Sequence, residues 1–424
     1  MSSEDTGESR ARGTREVDVV LYGASGFVGV LVAEYLANAA PEGVRIALAG
    51  RSRSKLEAVR TRLGERAQQW PILLADADDT AALTTVAESA DVVITTVGPY
   101  EKYGKSLVRA CARAGTDYVD LTGEVLFVRD SADVNHELAR STGARIVHSC
   151  GFDSIPSDLG VHSLHERARA DDAGELTDTT LVVTSLRGGL SGGTIDTVRT
   201  QIDVMKADKR LRRIVTSPYS LSPDRSREPD FGKQSDLAVV RGDAIHSSLR
   251  GWKAPFFMAS YNTRVVRRSN ALRDHAYGRR FRYREVMNVG SSALSAVVAG
   301  GVTVGVTALM AGLSLPPTRY VLDKVLPKPG QGPKAETREK GHFTLDVFTR
   351  TSTGGRYQAR VKAKGDPGYQ ATALMLAESA LTLVVDRDAL PDSGGGVLTP
   401  ATALGDALAT RLRDAGMEIS TRRA

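Results

Sequence analysis

Gly23, Gly26 and Gly29 stand at equal spacing in Gly23-Ala24-Ser25-Gly26-Phe27-Val28-Gly29. Such a run suits a turn that closes on a phosphate. Gly23 permits the tight turn, Gly26 leaves the backbone open to a pyrophosphate, and Gly29 lets the following helix sit close to a sheet. With Ser25 and Phe27 beside them, the free N–H groups at the head of that helix face the phosphates. Dinucleotide-binding chains usually place an Asp or Glu about 20 residues further on, to bind a ribose 2′-hydroxyl. Here Gly50-Arg51-Ser52 takes that place. An acid would repel a 2′-phosphate, whereas Arg51 can pair with one through its planar fork of donors and Ser52 can donate as well. Read this way, the turn holds NADP(H) rather than NAD(H); the plain alternative is a solvated basic turn. Asp76 is placed as a contact on the adenine side, and Val97, Gly98 and Pro99 at the lip of the ligand crevice.

These residues need strands that end beside them. Asp18–Tyr22, Arg45–Ala49, Pro71–Ala75, Asp91–Val97, Asp117–Leu121 and Ala144–His148 are apolar runs of strand length. Helical patterns fall between them, over Lys55–Leu63, Thr80–Glu88, Lys105–Ala114 and Phe127–Ser141. Strands alternating with helices predict an α/β chain with a Rossmann-type, doubly wound parallel sheet. Beyond Asp158 the pattern changes: Leu181–Ser185, Gly341–Thr349 and Arg356–Lys362 alternate like antiparallel strands, the last two joined at Thr353-Gly354-Gly355. A second, mixed α/β domain is expected there. Ser217–Lys233 reads as a long loop, Ala371–Val385 as a helix, and Thr399-Pro400 as the capped start of a last helix ending near Gly416. The expected division is a disordered tail over 1–15, a nucleotide-binding domain over 16–150, a substrate or dimerisation domain over 151–395, and a C-terminal helix over 396–424 packing back on the first domain.

Composition narrows the class. At 424 residues, 41% apolar and 25% charged, the chain is folded and too long for one core. Two cysteines, Cys111 and Cys150, exclude a disulfide framework or a four-cysteine zinc site. No HExxH, paired CxxC or Walker motif occurs, so no metal site is expected. Met1–Glu16 carries no secretory pattern, and a cytoplasmic setting fits. The net charge of +6 is crowded between Arg264 and Arg284. No nucleic-acid module accompanies it, so no nucleic-acid partner is expected.

Several segments together resemble the saccharopine dehydrogenase-like oxidoreductases, and within them the chain is most similar to the mycobacterial trans-acting enoyl reductases. They are the glycine turn, Thr95–Tyr100, Tyr118–Glu124, Cys150–Asp158, Ser191–Thr194, Gly368–Ala373 and Gly396–Ala401. The resemblance implies a Rossmann domain joined to a mixed α/β domain. It also implies reduction of a conjugated double bond in a lipid-like polyketide, carried by a polyketide synthase without its own working reductase domain. Phthiocerol, phenolphthiocerol or related glycolipid synthesis is the implied setting. Alternatives are a saccharopine-type or other NAD(P)-dependent dehydrogenase, and a membrane-associated protein that binds cofactor without catalysis.

Enoyl reduction needs a hydride for the β-carbon, charge stabilisation at the thioester oxygen and a proton for the α-carbon. Tyr100 and Tyr103, just past the fourth strand, and Asp153, past the sixth, are the candidate catalytic groups. Each has a structural alternative: an anchored phenol for the tyrosines, a helix cap or structural hydrogen bond for Asp153. The same alternatives apply to Ser154, Asp158 and Glu124. His148 reads as a structural histidine and Cys150 as an interior thiol.

Val286–Thr318 contains no charged residue and directly follows the arginine cluster. A basic stretch beside an apolar one fits adsorption to an anionic membrane face, which would make the protein peripheral at the inner face of the plasma membrane. A buried core or homodimer segment and a spanning helix are the alternatives.

Overall fold

The computed structural model describes residues 14–188, 192–232, 234–325 and 332–424. The tail up to residue 13 and Ser191 of the Ser191–Thr194 motif lie outside them. Six strands, β1 (Val17–Tyr22), β2 (Ile46–Gly50), β3 (Ile72–Leu74), β4 (Ala90–Thr95), β5 (Asp117–Val119) and β6 (Arg145–Val147), alternate with helices. Seven more complete a second unit: β7 (Leu176–Arg187), β8 (Val240–Arg241), β9 (Trp252–Pro255), β10 (Arg282–Asn288), β11 (His342–Thr351), β12 (Arg356–Lys364) and, at the C-terminus, β14 (Glu418–Arg423). The remaining strand, β13 (Gly396–Leu398), returns to the first.

The first sheet runs β13-β6-β5-β4-β1-β2-β3, every pair parallel. This is the doubly wound Rossmann order with one strand added at an edge. Val19, Val20 and Leu21 of β1, and Val92, Val93 and Ile94 of β4, are buried on both faces, which is why these strands read as unbroken apolar runs. The second sheet runs β14-β12-β11-β7-β10-β9-β8; β7 and β10 are parallel and the other pairs antiparallel. The expected hairpin of β11 and β12 forms around Thr353–Gly355.

Helix Gln370–Val385 joins the two units. It packs against helix Phe27–Ala39 and strands β4 and β5, and its other side meets helix Gly405–Asp414. Twelve of its residues are buried, so it is apolar almost all round, as a helix inside a core must be. One polar chain crosses the junction: the Tyr35 hydroxyl donates to Glu378 Oε1 at 2.6 Å, and Arg411 Nε donates to Glu378 Oε2 at 2.7 Å.

The C-terminal segment differs from the expected single helix. Gly396–Leu398 pairs with β6 as a strand. Thr399 then forms a capping box with Thr402, but the helix stops after Ala403 and restarts at Gly405, whose φ of +47° breaks the run. Helix Gly405–Asp414 lies against helix Gln370–Val385 and β14, so the contact with the Rossmann sheet is made by β13 and the short helix Pro400–Ala403. Arg15, placed in the tail by its sequence, is buried: its guanidinium donates to the carbonyls of Ala87, Ala90 and Ala114 and to Thr116.

The arginine cluster also differs from expectation. Arg264, Arg267 and Arg268 are buried on helix Ala259–Leu272. Arg264 pairs with Asp236, Arg267 donates to the carbonyls of Pro218 and Tyr283, and Arg268 to those of Leu221 and Val397. Their charge cements loops to the helix, so these three leave the basic face expected before the apolar segment, whereas Arg279, Arg280 and Arg282 are exposed.

Candidate active site

The carboxyl ends of β1, β2, β3, β4, β5 and β6 share one rim, because a parallel sheet delivers all its strands to the same edge. The glycine turn follows β1. Gly23 has a φ of +88°, and a Cβ there would meet Thr96 Oγ1 and Val97 Cγ2 at 2.7 Å. Gly29 lies tighter still: a Cβ would stand 2.1 Å from the Gly23 carbonyl oxygen. Gly26 is exposed, and a Cβ there would meet the same oxygen at a tight 3.3 Å. Gly26 is the N-cap of helix Phe27–Ala39, no side chain caps that end, and its first turn carries no acid. Its unpartnered N–H groups and positive dipole therefore face the rim, which fits a pyrophosphate. Gly29→Ala is expected to force the turn apart, costing about 2–3 kcal/mol or more. Thermal unfolding would show a lower midpoint, and calorimetry would show lost NADPH binding.

Arg51 directly follows β2 with its side chain exposed, and Ser52 caps helix Arg53–Leu63 by backbone geometry alone. Asp76, also exposed, lies two residues past β3. The Tyr22 phenol lies among them: burial and the Asp76 carboxylate push it up to about 12, and the Arg51 guanidinium pulls it back. Tyr22, Arg51 and Asp76 thus form one group where β1, β2 and β3 end, of which the sequence reading missed Tyr22. Ser25 and Phe27 sit half-buried in the glycine turn, and Val97, Gly98 and Pro99 leave β4 beside it.

A roof comes from the second unit. The Phe27 ring meets Tyr369 edge-on at 5.1 Å, and the Arg338 guanidinium lies 5.4 Å from its centroid. Tyr369 precedes helix Gln370–Val385, and Arg338 belongs to the short helix Ala335–Glu339. Neither was assigned a role from sequence. Tyr369 stands in a motif used for the resemblance; Arg338 stands in a charged stretch that gives no signal. Helix Gly192–Ala207 closes another side: Thr197 Oγ1 donates to Glu124 Oε1 at 3.3 Å, and Gln201 Nε2 donates to the Gly123 carbonyl at 2.9 Å.

Of the candidate proton donors, Tyr100 is an anchored residue. It is 4% exposed, and its hydroxyl donates to the Thr95 carbonyl at 3.2 Å. The Leu121 N–H points back at it, 3.5 Å away. Burial, with nearby Asp120, pushes the phenol well above its ordinary range. Glu124 accepts the Tyr100 and Glu101 N–H groups at 2.9 and 2.8 Å, which makes it the cap of the short helix Tyr100–Tyr103. Tyr100→Phe is expected to cost about 1 kcal/mol of stability. Its kcat should stay within about twofold, against the hundredfold or larger loss that removal of a general acid gives. Tyr103 is half-exposed, with Lys102 Nζ 4.8 Å from its ring centroid.

Asp153 is different. It lies on the turn Gly151–Ser154 after β6, half-buried, with its carboxylate oxygens along Gly151 and Gly123. Thr372, at the head of helix Gln370–Val385, fixes this turn by accepting the Phe152 N–H at 3.0 Å. Among the described residues Asp153 makes no ion pair. Burial pushes its carboxyl up to about 7; its own backbone N–H draws it back and the Asp120 carboxylate adds to the rise. A carboxylic acid that keeps its proton near neutrality, at the rim, can serve as a general acid.

Ser154 and Asp158 are structural. Ser154 Oγ donates to Asn262, and Asp158 accepts from Ser269 and from the Ala401 N–H at 2.8 Å. Asp120, His148 and Ser131 have the residue types of a hydrolase triad, with contacts of 2.7 and 2.8 Å. All three are buried, however, and Asp120 also accepts the Thr122 and Ser149 N–H groups and the Tyr118 hydroxyl. The set braces β5 against β6. Cys150 is a buried thiol, raised far above its ordinary range by burial. No group of His, Cys, Asp and Glu suited to a metal ion occurs among the described residues.

Residues 19–147 match the family model described as the saccharopine dehydrogenase NADP binding domain. A Mycobacterium tuberculosis protein that bears a provisional trans-acting enoyl reductase name is 54% identical over 419 residues, covering 96% of this chain and 98% of that one. Trans-acting enoyl reductases of Mycobacterium bovis and Mycobacterium ulcerans are 49% and 48% identical, each again covering 96% of this chain and 98% of the relative. Among solved structures, the apo saccharopine dehydrogenase (L-Glu forming) of Saccharomyces cerevisiae aligns with a TM-score of 0.52 at 14% identity, over 96% of this chain and 100% of that one. At that identity the likeness establishes the fold.

Proposed function

This chain belongs to the family of the mycobacterial trans-acting enoyl reductases, and from that membership we propose that it uses NADPH to reduce a conjugated double bond in an acyl chain carried by a polyketide synthase. The observation that carries this reading is the 54% identity across both units. A Rossmann half alone would admit any dehydrogenase, because fold does not fix reaction. We place the reaction in the cytoplasm, with phthiocerol-type or related glycolipid precursors as the substrate class.

NADPH supplies the hydride when bound. The residues here divide the remaining work. Gly23, Gly26 and Gly29 let the turn approach the pyrophosphate, with Ser25 and Phe27 in the same turn, while Arg51 and Ser52 take the 2′-phosphate and Asp76 the adenine side. Val97, Gly98 and Pro99 form the wall that orients the ring to be oxidised. Phe27, Tyr369 and Arg338 cover the phosphates and keep water from them. Asp153 holds a proton for the α-carbon, and its neutral form can also hydrogen-bond the thioester oxygen as charge develops there. Tyr103 is the second group able to do so.

The test is NADPH oxidation by purified protein with an enoyl thioester on its carrier domain, beside the same assay with saccharopine. Turnover with the enoyl substrate alone is expected. Turnover with saccharopine alone would move the chain to the amino-acid dehydrogenases, and tight NADPH binding without any turnover would remove the catalytic reading.

A further inference from the structure

One element of the fold is unaccounted for by the reaction. Helix Ser295–Ser314 has a mean hydropathy of 1.9 over its most apolar stretch, yet only 11% of that stretch is buried. Leu294, Val297 and Val304 are about 70% exposed (70%, 73% and 68%). Gly300, Gly301 and Gly305 have nothing near the position of a Cβ. The second arm, helix Pro316–Val325, adds exposed Tyr320 and Val321. A helix apolar on all sides belongs in a core or against lipid, and this one is in no core. An exposed patch of this kind marks an interaction surface.

Three occupants compete: a bilayer crossed by the helix, a second copy of the chain, and a bilayer met in its plane. Crossing is excluded by packing. Ser295, Ala299 and Leu313 are buried against the protein, and the Ser295 hydroxyl accepts the Trp252 N–H of β9 at 2.8 Å. Arg319 ties the second arm to helix Gly192–Ala207 through Asp203 at 2.7 Å. A spanning helix could not keep these soluble elements at its side. Charge separates the other two. Helix Gly192–Ala207, on which the hairpin rests, leads directly into helix Lys209–Thr216, where Lys209, Arg210, Arg212 and Arg213 are all exposed. Lys324 stands over the Tyr320 ring at 4.3 Å, a pairing of cation and aromatic suited to a headgroup layer. A second copy would bring like charges together on a chain of net charge +6, whereas an anionic bilayer supplies the opposite sign.

We infer that the hairpin of helices Ser295–Ser314 and Pro316–Val325, together with the basic helix Lys209–Thr216 that continues from its supporting helix, docks in the plane of an anionic lipid surface. Helix Gly192–Ala207 forms a shared wall: one side carries the hairpin, and Thr197 and Gln201 reach the strand ends of the candidate site. The docked face would therefore lie next to the crevice that receives the acyl chain.

The full chain is tested by flotation with vesicles of mixed phosphatidylglycerol and phosphatidylcholine, and with phosphatidylcholine alone. Wild type is expected to float with the anionic vesicles and to be released by salt. Val297→Glu with Val304→Glu should reduce uptake by about tenfold or more, since it puts charge into the apolar face. Lys209→Glu with Arg212→Glu and Arg213→Glu should do the same by removing the electrostatic attraction. NADPH affinity and the thermal midpoint, measured on both variants, should match wild type and show that each is folded. Equal uptake of wild type and both folded variants overturns the inference. So does a change of elution volume from dimer to monomer in the valine variant with vesicle uptake unaltered, which would assign the face to a second copy. Neither readout depends on the reductase reading, so failure here leaves that reading intact.

Discussion

Asp153→Asn is expected to lower kcat for enoyl reduction by about two to four orders of magnitude, the usual contribution of a positioned general acid, while leaving NADPH affinity near wild type. The pH profile carries the sharper test. Only the protonated carboxyl can deliver a proton, so the wild-type rate should fall as pH rises through about 7. In the Asn variant that limb should be absent from the residual rate. Stability should fall over the same rise in pH. The folded chain keeps the Asp153 proton up to about 7, whereas the unfolded chain releases it near the ordinary value of 3.8. Between those values the folded state binds more protons, so the Asp153 contribution to stability is fully present below the lower value and is lost as pH rises to the upper one. Asn, which cannot ionise, should therefore be as stable as wild type or more so in melts at about pH 8. A residue with a purely structural role would show the reverse pattern, lower stability with catalysis kept. Full activity in Asp153→Asn would pass the proton-donor role to Tyr103.

The part of the molecule legible in sequence is the part whose signals are local. Strands β1, β2 and β4 announced themselves because central parallel strands are covered on both faces and must be apolar without interruption. The glycine turn was legible because its three positions answer to three separate close approaches. Strand β13 was not, since three residues after two glycines give no period, and its partner β6 lies far back in the chain. Tyr100 shows a second limit. Its place after a strand was read correctly, but sequence does not say which way a side chain turns, and this one turns inward onto Phe127, 5.7 Å between centroids. Arg264, Arg267 and Arg268 show a third: their partners, Asp236 and the Pro218, Leu221 and Val397 carbonyls, are distant in sequence, so three buried braces read like the exposed Arg279, Arg280 and Arg282 that follow them. Arg338 and Tyr369 were invisible as site residues for the same reason, because a roof built from another unit leaves no mark near the turn it covers.

Arg51→Asp is expected to invert the cofactor preference. Hydrogen bonds from a charged group contribute about 1.5–3 kcal/mol each, so losing the fork on the 2′-phosphate should weaken NADPH binding by about thirtyfold or more. NADH should bind as well as before or better, because an acid at this position accepts from the ribose 2′-hydroxyl. The surroundings enlarge the effect. Asp76 and Asp78 both push the Tyr22 phenol up, with Arg51 as the opposing charge. Removing Arg51 leaves those acids opposed only by the exposed Arg53 and Lys55 of the following helix. Arg51→Lys should fall between, keeping the charge but losing the planar pair of donors. Because the Arg51 side chain is exposed, the wild-type preference for NADPH should also shrink with added salt, and that dependence should be weaker in Arg51→Ala. Titration calorimetry with both cofactors at two ionic strengths measures all of this. An unchanged NADPH preference in Arg51→Asp would mean that the 2′-phosphate is held elsewhere along the rim.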